Sequence, residues 1–140
     1  MTDERLARLI RLKERLRKAC RADLASAQSA EDAAHDARRA SRAQLERQRA
    51  AYTGTRDVDA RELAVQAWLV AAAEAGELRA EEAVREASGI REICADALVG
   101  AAREVQGLER FADRREADRA RELARREQSL LDEAAQRGAR

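Results

Sequence analysis

Proline is absent from this sequence, and its aromatic residues are one Tyr, one Trp and one Phe in 140 positions. The first absence removes the strongest helix breaker, and the second removes the rings that dominate most protein cores. The two cysteines, Cys20 and Cys94, are 74 residues apart and form neither a disulfide framework nor a metal-ligand pattern. His35 is the only histidine. It stands among alanines and acids, where a solvated helical residue is expected rather than a base or a ligand. The few glycines form no phosphate-binding loop, because Gly76, Gly89, Gly100 and Gly107 are scattered. No apolar run approaches the roughly 18 residues of a membrane span, and no secretory signal is legible ahead of Leu6. The expectation is a soluble, cytoplasmic protein with reduced thiols.

What is present is alanine and charge. Of 63 apolar residues 34 are Ala, leaving 14 Leu, six Val and three Ile as the aliphatic material for a core. Burying a Leu or Val contributes roughly 1.5–3 kcal/mol, so these side chains, spread so thinly, do not offset the chain entropy of an ordinary globule. Ala, Glu, Arg, Leu and Gln are good helix formers, and their dominance is the composition of long helices or a coiled coil.

Net charge is only +1, which gives no general attraction to nucleic acid or anionic lipid. The distribution is uneven, however. Residues 1–52 carry 13 basic and eight acidic groups, and residues 53–108 carry six and eleven. The two imbalances favour the halves lying against each other.

One stretch, "YTGTRDVD" from Tyr52 to Asp59, interrupts the helical pattern. Gly54 is a good C-terminal stop, and Asp59 with Glu62 reads as a capping box. The predicted organisation is a single all-α hairpin: helix 3–51, turn 52–59 and helix 60–137. A short link between long helices makes the antiparallel coiled-coil hairpin the default. The predicted seam of the first helix runs through Leu6, Lys13, Cys20, Ala27, Ala34, Ser41 and Gln48, alternating with Leu9, Leu16, Asp23, Ala30 and Ala37. Ile10, Leu24, Leu45 and Tyr52 flank it. The second helix contributes Ala73, Ala80, Ala87, Cys94, Ala101 and Leu108, alternating with Leu69, Gly76, Ala83, Ile90 and Ala97. Leu63, Val70, Val84, Leu98 and Val105 flank that line. A turn centred near residue 56 sets Cys20 near Cys94 and Trp68 near Leu45. It also leaves the second helix overhanging beyond about residue 108, with a thin stripe of Ala120, Leu123, Leu130 and Ala134. That stripe is a surface for a partner or for self-association.

No catalytic constellation is present. Adjacent acids such as Glu81–Glu82 and Asp132–Glu133 diverge around a helix, and a two-helix hairpin has no cleft to exclude water. A non-enzyme is expected, with no cofactor and no metal. The opening "RLARLIRLKERLRKACR" has eight basic and three acidic groups over residues 3–21. It reads as a solvated basic face or a docking surface for an acidic protein; without interleaved aromatics it lacks the stacking platform of a nucleic-acid binder. Near the turn, Tyr52, Trp68 and Leu69 form either core or an interaction hot spot, because a two-helix ribbon cannot cover a Trp on all sides.

With both ends read, the chain resembles the FliJ/YscO/HrpO family, the central stalk proteins of flagellar and type III secretion export machines. The resemblance is carried by overall length, the hairpin with its break near the middle, the N-terminal "LARLIRLKERLRKA" and the C-terminal "ARREQSLLDEAAQR". It implies a stalk without enzymatic activity, located in the cytoplasm at the secretion apparatus of the inner membrane. Such a stalk links a hexameric export ATPase to the cytoplasmic ring of the export gate; some members also hold export chaperones. By position, Leu45, Tyr52, Trp68 and the adjacent Leu69 are the expected gate-binding residues. Gln48 stands where the family pattern has a second aromatic. The expected ATPase-binding residues are Leu6 and Leu9 with Arg125, Arg126, Glu127, Asp132 and Glu133 of the terminal motif. A structural coiled coil that self-associates through its C-terminal overhang, unrelated to secretion, is the second reading. A nucleic-acid-binding basic arm is the third.

Overall fold

The computed structural model describes residues 2–54 and 57–139. They form two helices, α1 (Asp3–Gly54) and α2 (Ala60–Gly138), and no strand occurs among the described residues. The class is the expected one. α1 runs three residues past its predicted end because Thr53 Oγ1 donates back to the carbonyls of Arg49 and Ala50, at 3.1 and 3.2 Å. Gly54 therefore closes α1 from within the helix, and no described glycine has positive φ. Of the predicted turn, Thr55 and Arg56 lie outside the described residues. The start of α2 is as expected: the Asp59 carboxylate accepts from the Glu62 N–H at 2.8 Å, satisfying one of the unpaired amides of the first turn.

The chain divides into two compact units. One is Ala19–Leu98; the other joins the residues up to Lys18 to those from Val99 onward. In each unit a stretch of α1 packs antiparallel on a stretch of α2.

In the Ala19–Leu98 unit the buried and half-buried positions of α1 along the seam are Cys20, Leu24, Ala27, Glu31, Ala34, Arg38, Ser41, Leu45 and Gln48, with His35 half-buried beside them. Those of α2 include Val70, Ala73, Glu77, Ala80, Val84, Ala87, Arg91, Cys94 and Leu98. Both series alternate steps of three and four, the spacing of a coiled-coil seam. In the other unit Leu6, Ile10, Lys13 and Arg17 meet Ala101, Val105, Leu108, Ala112 and Arg115 on the same spacing. Half of the predicted seam is therefore found in place. The other half is displaced by one residue, onto the positions expected to flank it. Leu16 and Ile90, predicted inside, are 48% and 56% exposed. The displaced line buries Ile10, Leu24 and Leu45 of α1 and Val70, Val84, Leu98 and Val105 of α2, more apolar area than the line it replaces.

Long polar side chains on the seam are retained because they meet opposite charges. Arg91 pairs with Glu31 at 2.7 Å and Arg38 with Glu81 at 2.8 Å, while at its edge Arg49 pairs with Glu74 at 2.9 Å. Arg17 lies against Glu14 at 3.1 Å, and its buried Nε has no hydrogen-bond partner. These pairs and the approach of Gly76 to Ser41, where an added Cβ would lie 3.5 Å from Oγ, fix the register. It is about one turn from the expected one, since the prediction set Ser41 opposite residue 72. Leu45 is thus level with Ala73, Leu24 with Cys94 and Cys20 with Leu98, so large side chains face small ones. Cys20 and Cys94 are both free, and this register sets them about one turn apart.

Candidate interaction surfaces

Near the connection between the helices, the four residues expected to bind a partner have different surroundings. Leu45 is 3% exposed and belongs to the core of its unit. Trp68 is 68% exposed, Tyr52 40%, and Leu69 is half-buried. Trp68 is not near Leu45: it lies more than a turn away along α2 from the level of Ala73. An exposed Trp beside aliphatic neighbours is the residue type that anchors protein interfaces.

In the unit built from the chain's two ends, Leu6 is 4% exposed and Leu9 half-buried. Leu6, Ala7 and Ile10 line an open groove of about 320 Å³ with Ala112, Arg115 and Arg119. At its mouth the Asp3 carboxylate receives both Arg119 nitrogens, Nη2 at 2.7 Å, with Arg115 at 3.7 Å. The hydrogen bonds from Arg119, with the charges of Arg119 and Arg115, hold the Asp3 carboxyl below the usual carboxylate range. α1 therefore has a packing partner to at least Arg119, not merely to 108, and the overhang is shorter than expected by about three turns.

From Glu116 to Ala139 every residue of α2 is exposed. Arg125, Arg126, Glu127, Asp132 and Glu133 all stand on this segment. Its own pairs are local, Arg126 to Glu122 at 2.6 Å and Gln128 to Asp132 at 2.9 Å, each contributing a few tenths of a kcal/mol. Leu123, Leu130 and Leu131 are 58%, 65% and 65% exposed. The segment thus presents leucines and both signs of charge.

Among the described residues no group of His, Cys, Asp and Glu is placed to hold a metal ion. Half-buried His35 lies beside Arg38, Arg39 and Arg42, each already paired with a carboxylate: Glu81, Asp36 and Glu46. Among the described residues no helix is long and apolar enough to cross a membrane. Compared with protein-family models, characterised proteins and solved structures, the chain matches none.

The sequence reading missed one surface. Of positions 69, 76, 83, 90 and 97, placed in the seam by prediction, Ala83, Ile90 and Ala97 are exposed on the flank of α2, whereas Leu69 and Gly76 are half-buried and Gly76 stays against Ser41. Two adjacent 3.5-residue repeats on one helix were the available signal, and only one of them fits a two-helix seam.

Proposed function

We propose that this chain is a non-enzymatic central stalk of a type III protein export apparatus, coupling an export ATPase ring to the export gate. The observation that supports this reading most is the exposed end of α2 beyond Arg119, residues 120–139, with three exposed leucines and, among the described residues, no ion pair or hydrogen bond to α1. A helix of that length with so little to bury is marginal alone in water and gains stability when gripped. On this reading Arg125, Arg126, Glu127, Asp132 and Glu133, with half-buried Leu9, contact the hexameric ATPase, and Leu6 supports them from the core. Trp68, Tyr52 and Leu69 contact the cytoplasmic ring of the gate, and Leu45 holds the helices that carry them. Export chaperones are a further class of partner; nucleic acid and direct membrane insertion have no part in it. The site of action is cytoplasmic, at the inner-membrane apparatus.

The test is co-sedimentation with purified ATPase hexamer and with gate ring. Truncation after Arg119 is expected to abolish ATPase association, and Trp68→Ala to weaken gate capture at least tenfold. If both variants bind as the parent does, the reading fails.

A further inference from the structure

The basic opening of α1 keeps an excess of free charge. Its three acids are all engaged: Asp3 pairs with Arg119, Glu4 with Arg8 and Glu14 with Arg17. Lys13 reaches Glu104 of α2. Among the described residues, Arg5, Arg11, Arg15 and Lys18 are left without an ion-pair partner.

The Lys13–Glu104 pair marks one flank of the unit built from the chain's two ends. On that flank Leu9, Leu12 and Leu16 follow each other at steps of three and four, and Phe111 stands two turns along α2 from Glu104. Leu12 is 61% exposed, Leu16 48% and Phe111 45%, while Leu9 is half-buried. Outside the leucines Arg8, Arg11, Arg15 and Lys18 form a row at the same steps. Outside Phe111, Arg103, Arg110 and Arg114 form a second row, again without ion-pair partners among the described residues. Glu109 and Asp113, each two residues from Phe111, fall on the opposite side of α2. The flank is thus a valley between two helices, with an apolar floor and cations along both margins.

We infer that this valley takes an amphipathic helix of another protein, apolar on one side and lined with Asp or Glu along both margins of that side. Steps of three and four match the core positions of a third helix lying lengthwise, and the two arginine rows meet its flanking positions. Charge selects acidic margins, because every unpaired charge along the strip is positive. A flat bilayer surface would meet the long arginines before Leu9 and Phe111, and nucleic acid would leave the apolar floor uncovered. The stalk contacts proposed above share only Leu9 with this surface, and its test needs no export component.

The test is fluorescence anisotropy of a labelled synthetic helix of about three heptads, with Leu at a and d and Glu at e and g, titrated with the full chain. Saturable binding is expected, at least tenfold weaker when Lys replaces Glu in the peptide or when its sequence is scrambled. Leu12→Gln with Leu16→Gln weakens it at least tenfold, whereas Leu123→Gln with Leu130→Gln on the bare end leaves it unchanged. Arg15→Glu with Arg114→Glu turns the preference toward the Lys peptide, a gain that misfolding cannot produce. No binding, equal binding of the two peptides, or indifference to Leu12→Gln with Leu16→Gln overturns the inference. So does retention on phosphatidylglycerol vesicles that Leu12→Gln with Leu16→Gln abolishes, which would make the occupant a membrane.

Discussion

Leu45 and Trp68 are both large and apolar and both lie near the connection between the helices, yet only Leu45 is buried. Truncating them separates stability from recognition. Leu45→Ala is expected to cost about 2–4 kcal/mol in urea unfolding, the transfer of the side chain plus the cavity it leaves. Trp68→Ala should change stability by less than about 0.5 kcal/mol, since it removes an exposed side chain. At the other end of α1, Asp3 titrates below the ordinary carboxylate value because Arg119 and Arg115 favour its charged form. Its contribution is therefore present above the unfolded value and is lost as pH falls through the folded one. Arg119→Met should raise the midpoint of the Asp3 carboxyl, followed by carbon NMR, toward the ordinary value; an unmoved midpoint would remove the pair from the account. Arg17 differs from the other seam arginines in pairing within its own helix, with Glu14 at 3.1 Å, and its buried Nε has no hydrogen-bond partner.

The two helices were legible because long stretches without proline, with an Asp–Glu cap after a glycine, leave few alternatives. Their pairing was only half legible. One heptad line appears in both the prediction and the structure; the other was chosen for Leu9, Leu16 and Ile90 and lost to a line holding Ile10, Leu24 and Leu45. Alanine at so many neighbouring positions makes adjacent lines nearly equal in hydrophobicity, so a few large residues decide. The turn misled as well, because glycine as a stop competes with Thr53 extending the helix through its hydroxyl. The resulting shift in register carries a prediction for the cysteines. With Cys20 level with Leu98, Cys94 falls one turn short of that level on α2, beyond the roughly 7 Å between Cα atoms that a disulfide spans. Mild oxidation should give no intramolecular Cys20–Cys94 bond on a diagonal gel; efficient bridging would restore the original register. Within α2, Gly89 and Gly107 have open space where a Cβ would stand. Replacing either with Ala should stabilise the helix by about 0.5–1 kcal/mol, read as a raised Tm, because the unfolded chain loses freedom that the helix does not use.

For the molecule as a whole, the small core explains why partners matter. The buried apolar residues among those described are Leu6, Leu45, Val84 and Val105 with three alanines. Alanine contributes little area, so intrinsic stability is low, and any surface that gains burial in a complex adds a large fraction to it. Removing residues 120–140 should leave Tm within about 2 °C of the parent, since these side chains do not pack on α1. Removing everything after Leu108 should lower it clearly, because Ala112, Arg115 and Arg119 go with it. Only the shorter deletion isolates the role of the bare segment. The alanine seam has one more effect. Methyl groups facing methyl groups look alike after a slide of seven residues, so apolar contact alone barely distinguishes one alignment of the helices from the next. Glu31 with Arg91, Arg38 with Glu81, Arg49 with Glu74 and Lys13 with Glu104 act as pins through that smooth track. Withdraw the first two, as with Glu31→Gln and Arg38→Gln, and only the remaining charged contacts oppose a slide of one helix along the other, turning a fixed brace toward a sliding one.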